Sequence, residues 1–228
     1  MNVLVLNSGS SSIKFSVLDV AGEGEEPRLL LDGELSGMGE PQTTLAVTWP
    51  EQQEEERTVR GSETPAGAIG IVLDAVAHVK AGAVGYRLVH PGPRIKDHVR
   101  ITENVLKELE AAAEFAPLHD PEAVAMMREM MRRMPDVPHV ACFDTVFHQT
   151  MPEEASIYPI PKELRAGGVK RYGFHGLSCE SVVRQMRSLG PVPARMIIAH
   201  LGSGCSVTAV LDGQSIDTTM GLTPRGES

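Results

Sequence analysis

The sequence predicts a pseudo-repeated α/β protein, and three observations carry that prediction. Residues 2–15 read Asn-Val-Leu-Val-Leu-Asn-Ser-Gly-Ser-Ser-Ser-Ile-Lys-Phe: an apolar run, a turn of small polar residues, then apolar residues again at Ile13, Phe15, Val17 and Leu18. That is a β-hairpin by pattern. Residues 197–207, Ile-Ile-Ala-His-Leu-Gly-Ser-Gly-Cys-Ser-Val, repeat the strand, glycine turn and strand. Between the two, amphipathic helical stretches alternate with short apolar strands. One such hairpin opening each half of the chain fits a duplicated fold that grips an anion from two sides.

The elements follow in order. Strands near 2–7, 13–20, 28–36 and 43–49 form an antiparallel meander, separated by Gly/Glu/Pro-rich turns such as Gly22 to Pro27. The charge run Glu51 to Arg60 reads as a solvated hairpin or loop. Thr64-Pro65 opens a helix to about Val79, with Pro in its first turn and Ile69, Val72, Leu73 and Val76 on one face. Ala83 to Val89 returns as a strand. A second helix follows Thr102, with Val105, Leu106 and Leu109 as its apolar positions. A third starts at Asp120-Pro121, an N-cap followed by Pro at the first helical position. Its Met126, Met127, Met130 and Met131 read as core filling, not as a soft-metal site. His139 to Phe143 is a short strand ending at Asp144. The Pro-rich loop Met151 to Pro161 separates a domain over 1–150 from a second over 151–228, which contains a helix near 178–189 and the hairpin near 195–211.

Composition narrows the function classes. With 228 residues, 42% hydrophobic and 22% charged, the chain can bury a real core. A net charge of −9 argues against non-specific nucleic-acid binding and against an anionic membrane surface as partner. Cys142, Cys179 and Cys205 are far apart and lack metal-ligand spacing, which suits reduced thiols in a cytoplasm. The first residues lack the basic and apolar regions of a signal peptide, and no run approaches a membrane span. The expected location is therefore cytoplasmic.

The N-terminal turn offers backbone N–H groups, hydroxyls and the cation Lys14, a combination suited to phosphate. It is neither a Walker loop nor a G-x-G-x-x-G fingerprint. Arg87 lies among apolar residues in Gly85-Tyr86-Arg87-Leu88-Val89, so it either holds an internal carboxylate or binds an anionic ligand. Asp144 ends an apolar strand, where a carboxylate positions a metal or caps the next turn. His119, His148, His175 and His200 fall next to turns, and a structural histidine is the default for any one of them. His175 is the more pointed, because Gly173 and Gly176 flank it and allow close approach to a ligand. H-E-x-x-H, G-x-S-x-G and C-x-x-C are all absent, so zincin, hydrolase-elbow and redox readings find no support. Two phosphate-type hairpins with an Arg, an Asp and a His point to phosphoryl transfer, which is mainly positioning and charge neutralisation with a divalent metal.

Several segments closely resemble the acetate kinase (acetokinase) family. They are Asn7-Ser8-Gly9-Ser10-Ser11-Ser12-Ile13-Lys14, Ala116-Pro117-Leu118-His119, Phe143-Asp144-Thr145-Val146-Phe147-His148-Gln149-Thr150-Met151-Pro152, Arg171-Tyr172-Gly173-Phe174-His175-Gly176, His200-Leu201-Gly202-Ser203-Gly204 and Asp217-Thr218-Thr219-Met220-Gly221-Leu222-Thr223-Pro224. They occur in family order over nearly the whole chain. The resemblance implies a ribonuclease H-like fold of the actin, sugar-kinase and heat-shock superfold, with mixed sheets flanked by helices and an incomplete second domain. It implies reversible phosphoryl transfer from ATP to acetate, giving acetyl phosphate and ADP, with Mg²⁺ or Mn²⁺. A propionate or butyrate kinase, or a non-catalytic nucleotide- or phosphate-binding remnant, are the alternatives.

Carried over residue by residue, the resemblance makes Asn7 a metal-site ligand and sets Ser10, Ser12 and Lys14 around the phosphates. Arg87 would bind the substrate carboxylate, and Val89, Leu118, Phe174 and Pro224 would wall a small apolar pocket for its alkyl end. His175 would stabilise the transferring phosphoryl group, and His200, Leu201, Gly202, Ser203 and Gly204 would hold ATP phosphates. Asp144 corresponds to the family's active-site aspartate, often described as a proton acceptor. A carboxylate substrate is already ionised at pH 7, so positioning the metal or its water is the role that chemistry leaves for it. The full-length family member is expected to be a homodimer.

The sequence departs from the family pattern at Tyr86, where His is usual, at Pro91, where Gly is usual, and at Asp120 and Ser203, where Asn is usual. The family also continues beyond the equivalent of residue 228 into a Thr-Arg-x-Gly-Asp segment, an adenosine-binding region and a metal-site glutamate. Arg225 follows Thr-Pro too closely to be the arginine of that segment. The expectation is an N-terminal portion whose acetate-dependent turnover requires the remainder.

Overall fold

The computed structural model describes residues 1–9, 11–22, 25–40, 42–115, 121–202 and 204–223. Two compact units divide them: Met1–Leu88 with Val99–Cys142, and Val89–His98 with Phe143–Ser228. The second unit thus takes in residues 143–150 and Val89–His98, which the sequence reading groups with the first domain.

In the first unit the predicted four-stranded meander is present as β1 (Asn2–Ser8), β2 (Ser12–Asp19), β3 (Arg28–Ser36) and β4 (Thr43–Thr48), and a fifth strand, β5 (Glu55–Val59), extends it. Then come α1 (Pro65–Ala75), β6 (Ala83–Leu88), β7 (Val99–Arg100), α2 (Glu103–Phe115), α3 (Pro121–Arg133) and β8 (His139–Phe143). They form one eight-stranded sheet in the order β5-β4-β3-β2-β1-β6-β8-β7. The sheet is mixed: β1 pairs antiparallel with β2 and parallel with β6.

Period-2 alternation explains which face is covered. Leu4 and Leu6, Ile13, Phe15 and Val17, Leu31 and Leu35, and Leu45 and Val47 are all buried. Leu6 and Ile13 line a small void together with Ile69 of α1 and Met126 and Met127 of α3, so this face meets those helices. Met126, Met127 and Met130 are core residues, as their flexible, unbranched shape suits. Gly33 is required here, because the ring of Phe15 fills the space a Cβ would take. The Thr64 hydroxyl caps α1 by accepting from the Gly67 N–H at 3.1 Å, with Pro65 at the first helical position. The helix ends at Ala75, short of Val79, where Val76 leaves helical geometry. The charge run contains β5, an edge strand whose exposed Glu and Arg side chains discourage further pairing.

The second unit holds a 3₁₀ turn (Val146–Thr150), α4 (Glu153–Ser156), α5 (Lys162–Ala166), α6 (Gly176–Leu189), β9 (Arg195–Leu201), β10 (Cys205–Leu211) and β11 (Gln214–Thr218). The strands form an antiparallel sheet, β11-β10-β9. Ile198 and Val210 on its inner face pack against Cys179 and Val183 of α6. Among the described residues no helix is long and apolar enough to cross a membrane.

Candidate active site

The first unit lines up its predicted residues across three strands. Asn7 on β1 stands opposite Lys14 on β2 and beside Arg87 on β6, and Lys14 stands opposite Glu34 on β3. Directly opposed residues place their side chains on one face within contact range. Accordingly an Arg87 Nη1–H donates to Asn7 Oδ1 at 3.3 Å, and Lys14 Nζ lies 3.7 Å from Glu34 Oε2. Asn7, Lys14, Ser16, Asp32 and Glu34 line an open polar groove together with Val5. The turn itself is closed by the Gly9 N–H, which donates to the Ser12 carbonyl at 2.7 Å. Ser10, also predicted for the phosphates, lies outside the described residues.

Tyr86 points the other way along β6, to the core. It is 5% exposed, and its ring stacks beside that of His139 with centroids 5.9 Å apart. The His139 Nε2 contacts the Met134 carbonyl at 2.9 Å, and a carbonyl only accepts, so the ring proton sits on Nε2. Nδ1 is then the acceptor for the Tyr86 O–H at 2.7 Å. Burial pushes the Tyr86 phenol well above its ordinary pKa, so it stays a donor.

In the second unit, Asp144 is 4% exposed. The preceding Phe143 N–H donates to His98 Nδ1 at 3.1 Å, and the Asp144 carbonyl accepts the Gly176 N–H at 2.7 Å. Gly176 has to be glycine, since a Cβ there would run into that carbonyl oxygen. Next along the chain, Thr145 Oγ1 is buried with no hydrogen-bond partner among the described residues.

His148, in the 3₁₀ turn, is 2% exposed and acts as a clamp. Its Nε2 lies 3.0 Å from the Phe174 carbonyl, so Nε2 carries the proton, and Nδ1 accepts from the Ser215 hydroxyl at 2.9 Å. Burial pushes its pKa down; the Phe174 carbonyl and the Asp144 charge oppose that, and His175 adds to it. Gly173, with φ of 72°, has the His148 ring and the Thr218 methyl each 2.7 Å from where a Cβ would stand. Only glycine meets both demands.

His175 follows directly, at φ 61° and ψ 20°, as the N-cap of α6. A left-handed non-glycine residue is uncommon and marks a spot the surroundings over-determine. Its Nδ1 lies 3.0 Å from Ser206 Oγ, and its ring stacks on His200 with centroids 4.0 Å apart. His200 Nδ1 in turn lies 3.0 Å from Ser178 Oγ. A methyl at Gly204 would stand 3.7 Å from His175 Nε2, so that edge of the ring faces the glycine loop. Leu201 is 78% exposed and Gly202 is exposed. Ser203 lies outside the described residues.

Of the predicted apolar wall, Phe174 packs with Tyr172 and Met220, and Val89 packs against that cluster. Leu118 and Pro224 lie outside the described residues. Asn7 in the first unit offers an amide oxygen and Asp144 in the second a carboxylate, each a donor type that a hard divalent cation takes. Sequence reasoning missed Ser206, Ser178, Ser215 and Met220. The signal for Ser206 was present, since strand alternation from His200 across the turn puts Ser206, Thr208 and Val210 on one buried face, polar residues where a plain core would be apolar.

The chain matches the family model described as the Acetokinase family over residues 2–226. It is 40% identical to the acetate kinase of Agathobacter rectalis over 98% of this chain and 58% of that protein. It superposes with a TM-score of 0.87 and 34% identity on the propionate kinase of Francisella tularensis, and with 0.86 and 33% on the acetate kinase of Porphyromonas gingivalis. Each alignment covers 98% of this chain and 58% of the other. The chain thus spans somewhat over half the length of these relatives, whose fold of mixed sheets flanked by helices it shares. With its motifs in family order and most of its length matched, the chain belongs to the acetokinase family.

Proposed function

We propose that the protein is an acetate kinase, transferring the γ-phosphoryl group of ATP reversibly to acetate. A carboxylate oxygen of acetate attacks the γ-phosphorus, the bond to the bridging oxygen breaks, and acetyl phosphate and ADP leave. The observation that carries this reading is the packing of Asp144, His148 and His175 about one turn in the second unit, in a chain of this family. Acetate is preferred over propionate or butyrate because the curated relative named above is an acetate kinase at 40% identity. The solved propionate kinase, at 34% identity, keeps the longer acids in the assay.

Arg87 receives the acetate carboxylate, and its Nη1 contact with Asn7 orients the guanidinium. Val89 and Phe174, with Leu118 and Pro224, bound the methyl group. Ser10, Ser12 and Lys14, and the loop from His200 to Gly204, engage the phosphates of ATP. His175 offers Nε2 to an equatorial oxygen of the transferring group, where charge builds up. Asp144 orients the metal or its water and takes no proton, since acetate arrives ionised. Mg²⁺, which Asn7 and Asp144 suit as oxygen donors, neutralises phosphate charge when bound. The family resemblance also supports a homodimeric, cytoplasmic enzyme.

Arg87→Ala tests the assignment of the carboxylate site. Losing a charge-assisted contact of about 1.5–3 kcal/mol raises the KM for acetate at least tenfold and lowers kcat, with the KM for ATP little changed. Unchanged acetate kinetics remove Arg87 from the carboxylate site.

A further inference from the structure

His98 stands just ahead of β7, and both nitrogens of its ring meet partners within the second unit. The Phe143 N–H meets Nδ1 at 3.1 Å; a backbone N–H only donates, so Nδ1 is the acceptor and carries no proton. In the neutral ring the proton then sits on Nε2, which faces Glu180 Oε2 on α6 at 3.4 Å. His98 thus bridges that helix to the backbone one residue ahead of Asp144. Its own N–H donates to the Asp97 carboxylate at 2.7 Å. The hydrogen bond from His98 holds the Glu180 carboxyl below the usual carboxylate range, against its burial and with help from Arg184. The charged groups on the elements about the ring are therefore Glu180 and Arg184 of α6, Asp97 before it and Asp144 after β8. The His98 side chain is 25% exposed, so protons reach it from solvent. Phe143 is fully buried, so no water replaces an acceptor that its N–H loses.

A second proton on the ring goes to Nδ1, the edge that accepts, and an N–H then faces an N–H. Nε2 keeps both its proton and its carboxylate partner, so the charged ring stays with Glu180 and gives up Phe143. We propose that His98 is a proton-operated latch on the end of β8: neutral, it ties the Phe143 N–H to α6, and protonated, it lets that N–H go. The inference rests on the kinase reading for its consequence, since the released amide immediately precedes Asp144. Asp144 keeps other contacts, among them its carbonyl on the Gly176 N–H, so opening the latch lowers turnover without abolishing it. His98 touches no reacting atom in this role and is a positioning residue.

The test reads the Phe143 amide without substrate. Among the 228 residues only Phe143 follows a cysteine, so carbonyl-¹³C cysteine combined with ¹⁵N-phenylalanine picks out its amide by NMR. The intact protein is titrated from about pH 8 to about pH 5, the range in which histidine changes charge. The Phe143 amide proton is expected to shift upfield, as it does on losing an acceptor, with the same midpoint as the ring signals of His98. In His98→Asn, whose Oδ1 takes the place of Nδ1 and does not titrate in this range, the amide keeps its high-pH position throughout. A Phe143 amide that does not follow the His98 titration, or that shifts alike in His98→Asn, overturns the proposal. Should His98→Asn fail to fold, the unaltered protein decides alone: coinciding midpoints support the latch, and an unmoved amide or a different midpoint overturns it. Because no nucleotide or carboxylate is present, this result is independent of the turnover measurements that test the kinase reading. In those measurements kcat falls less on acidification in His98→Asn than in the unaltered protein; equal falls overturn the link from His98 to Asp144.

Discussion

At position 86 a tyrosine stands where the family pattern usually has histidine, next to the arginine proposed for the carboxylate. Adjacent strand residues point to opposite faces, so Tyr86 turns into the core while Arg87 joins Asn7. The Tyr86 hydroxyl serves His139, whose other nitrogen is already committed to the Met134 carbonyl. Tyr86→Phe therefore leaves a buried ring nitrogen without a donor and costs about 1–3 kcal/mol. Thermal denaturation should show a fall of several degrees in Tm, and the KM for acetate should not change. A Tm equal to that of the unaltered protein contradicts the hydrogen-bond assignment. At this scale the sequence was half informative. It placed Arg87, Asp144 and His175 as candidates, because glycines and strand ends mark them. It could not say that Tyr86 faces inward or that Ser206 meets His175, since both facts depend on partners 53 and 31 residues away.

Among the elements, the 3₁₀ turn, the Gly173–His175 corner and β11 are tied together by His148. Its neutral ring donates to Phe174 and accepts from Ser215, and burial holds its pKa below the ordinary value. The sign of the pH effect follows. In the unfolded chain His148 takes its proton at about pH 6.5, whereas in the fold it does so only at lower pH. Stability from this residue is present in full above about pH 6.5 and is drawn down as pH falls toward the lowered native pKa. Tm should therefore drop between pH 7 and pH 5, and His148→Gln, less stable at pH 7, should show a shallower drop. Equal slopes for the two proteins would assign the acid sensitivity to other groups. The β11 strand was not legible in the sequence for a related reason. Its buried positions are Ser215 and Thr218, while its apolar Ile216 is 37% exposed, the inverse of the alternation that reveals a strand. By contrast β1 to β4 and α1 to α3 were legible, because their apolar periods match the faces they bury.

For the molecule as a whole, a net charge of −9 coexists with sites proposed for anionic ligands. The two are compatible because the cations are local: Lys14 and Arg87 stand in one cross-strand row with Asn7 between them. The units each carry a share of the residues assigned to the reaction, Asn7, Ser12, Lys14 and Arg87 in one, Val89, Asp144, Phe174, His175 and the glycine loop in the other. The alignments leave roughly two fifths of the relatives' length unmatched. The central claim is that this protein makes an acyl phosphate from ATP and a short carboxylate by means of Asp144 and its neighbours. Trapping the product with hydroxylamine in the presence of ATP, Mg²⁺ and acetate, propionate or butyrate measures that directly, in the unaltered protein and in Asp144→Asn. The account predicts hydroxamate formation that depends on the carboxylate, is fastest with acetate, and falls by at least about 10²-fold in the variant, the scale of losing one charged or oriented group from such a site. Hydroxamate formation that survives Asp144→Asn undiminished, or ATP consumption that does not depend on any carboxylate, would contradict it.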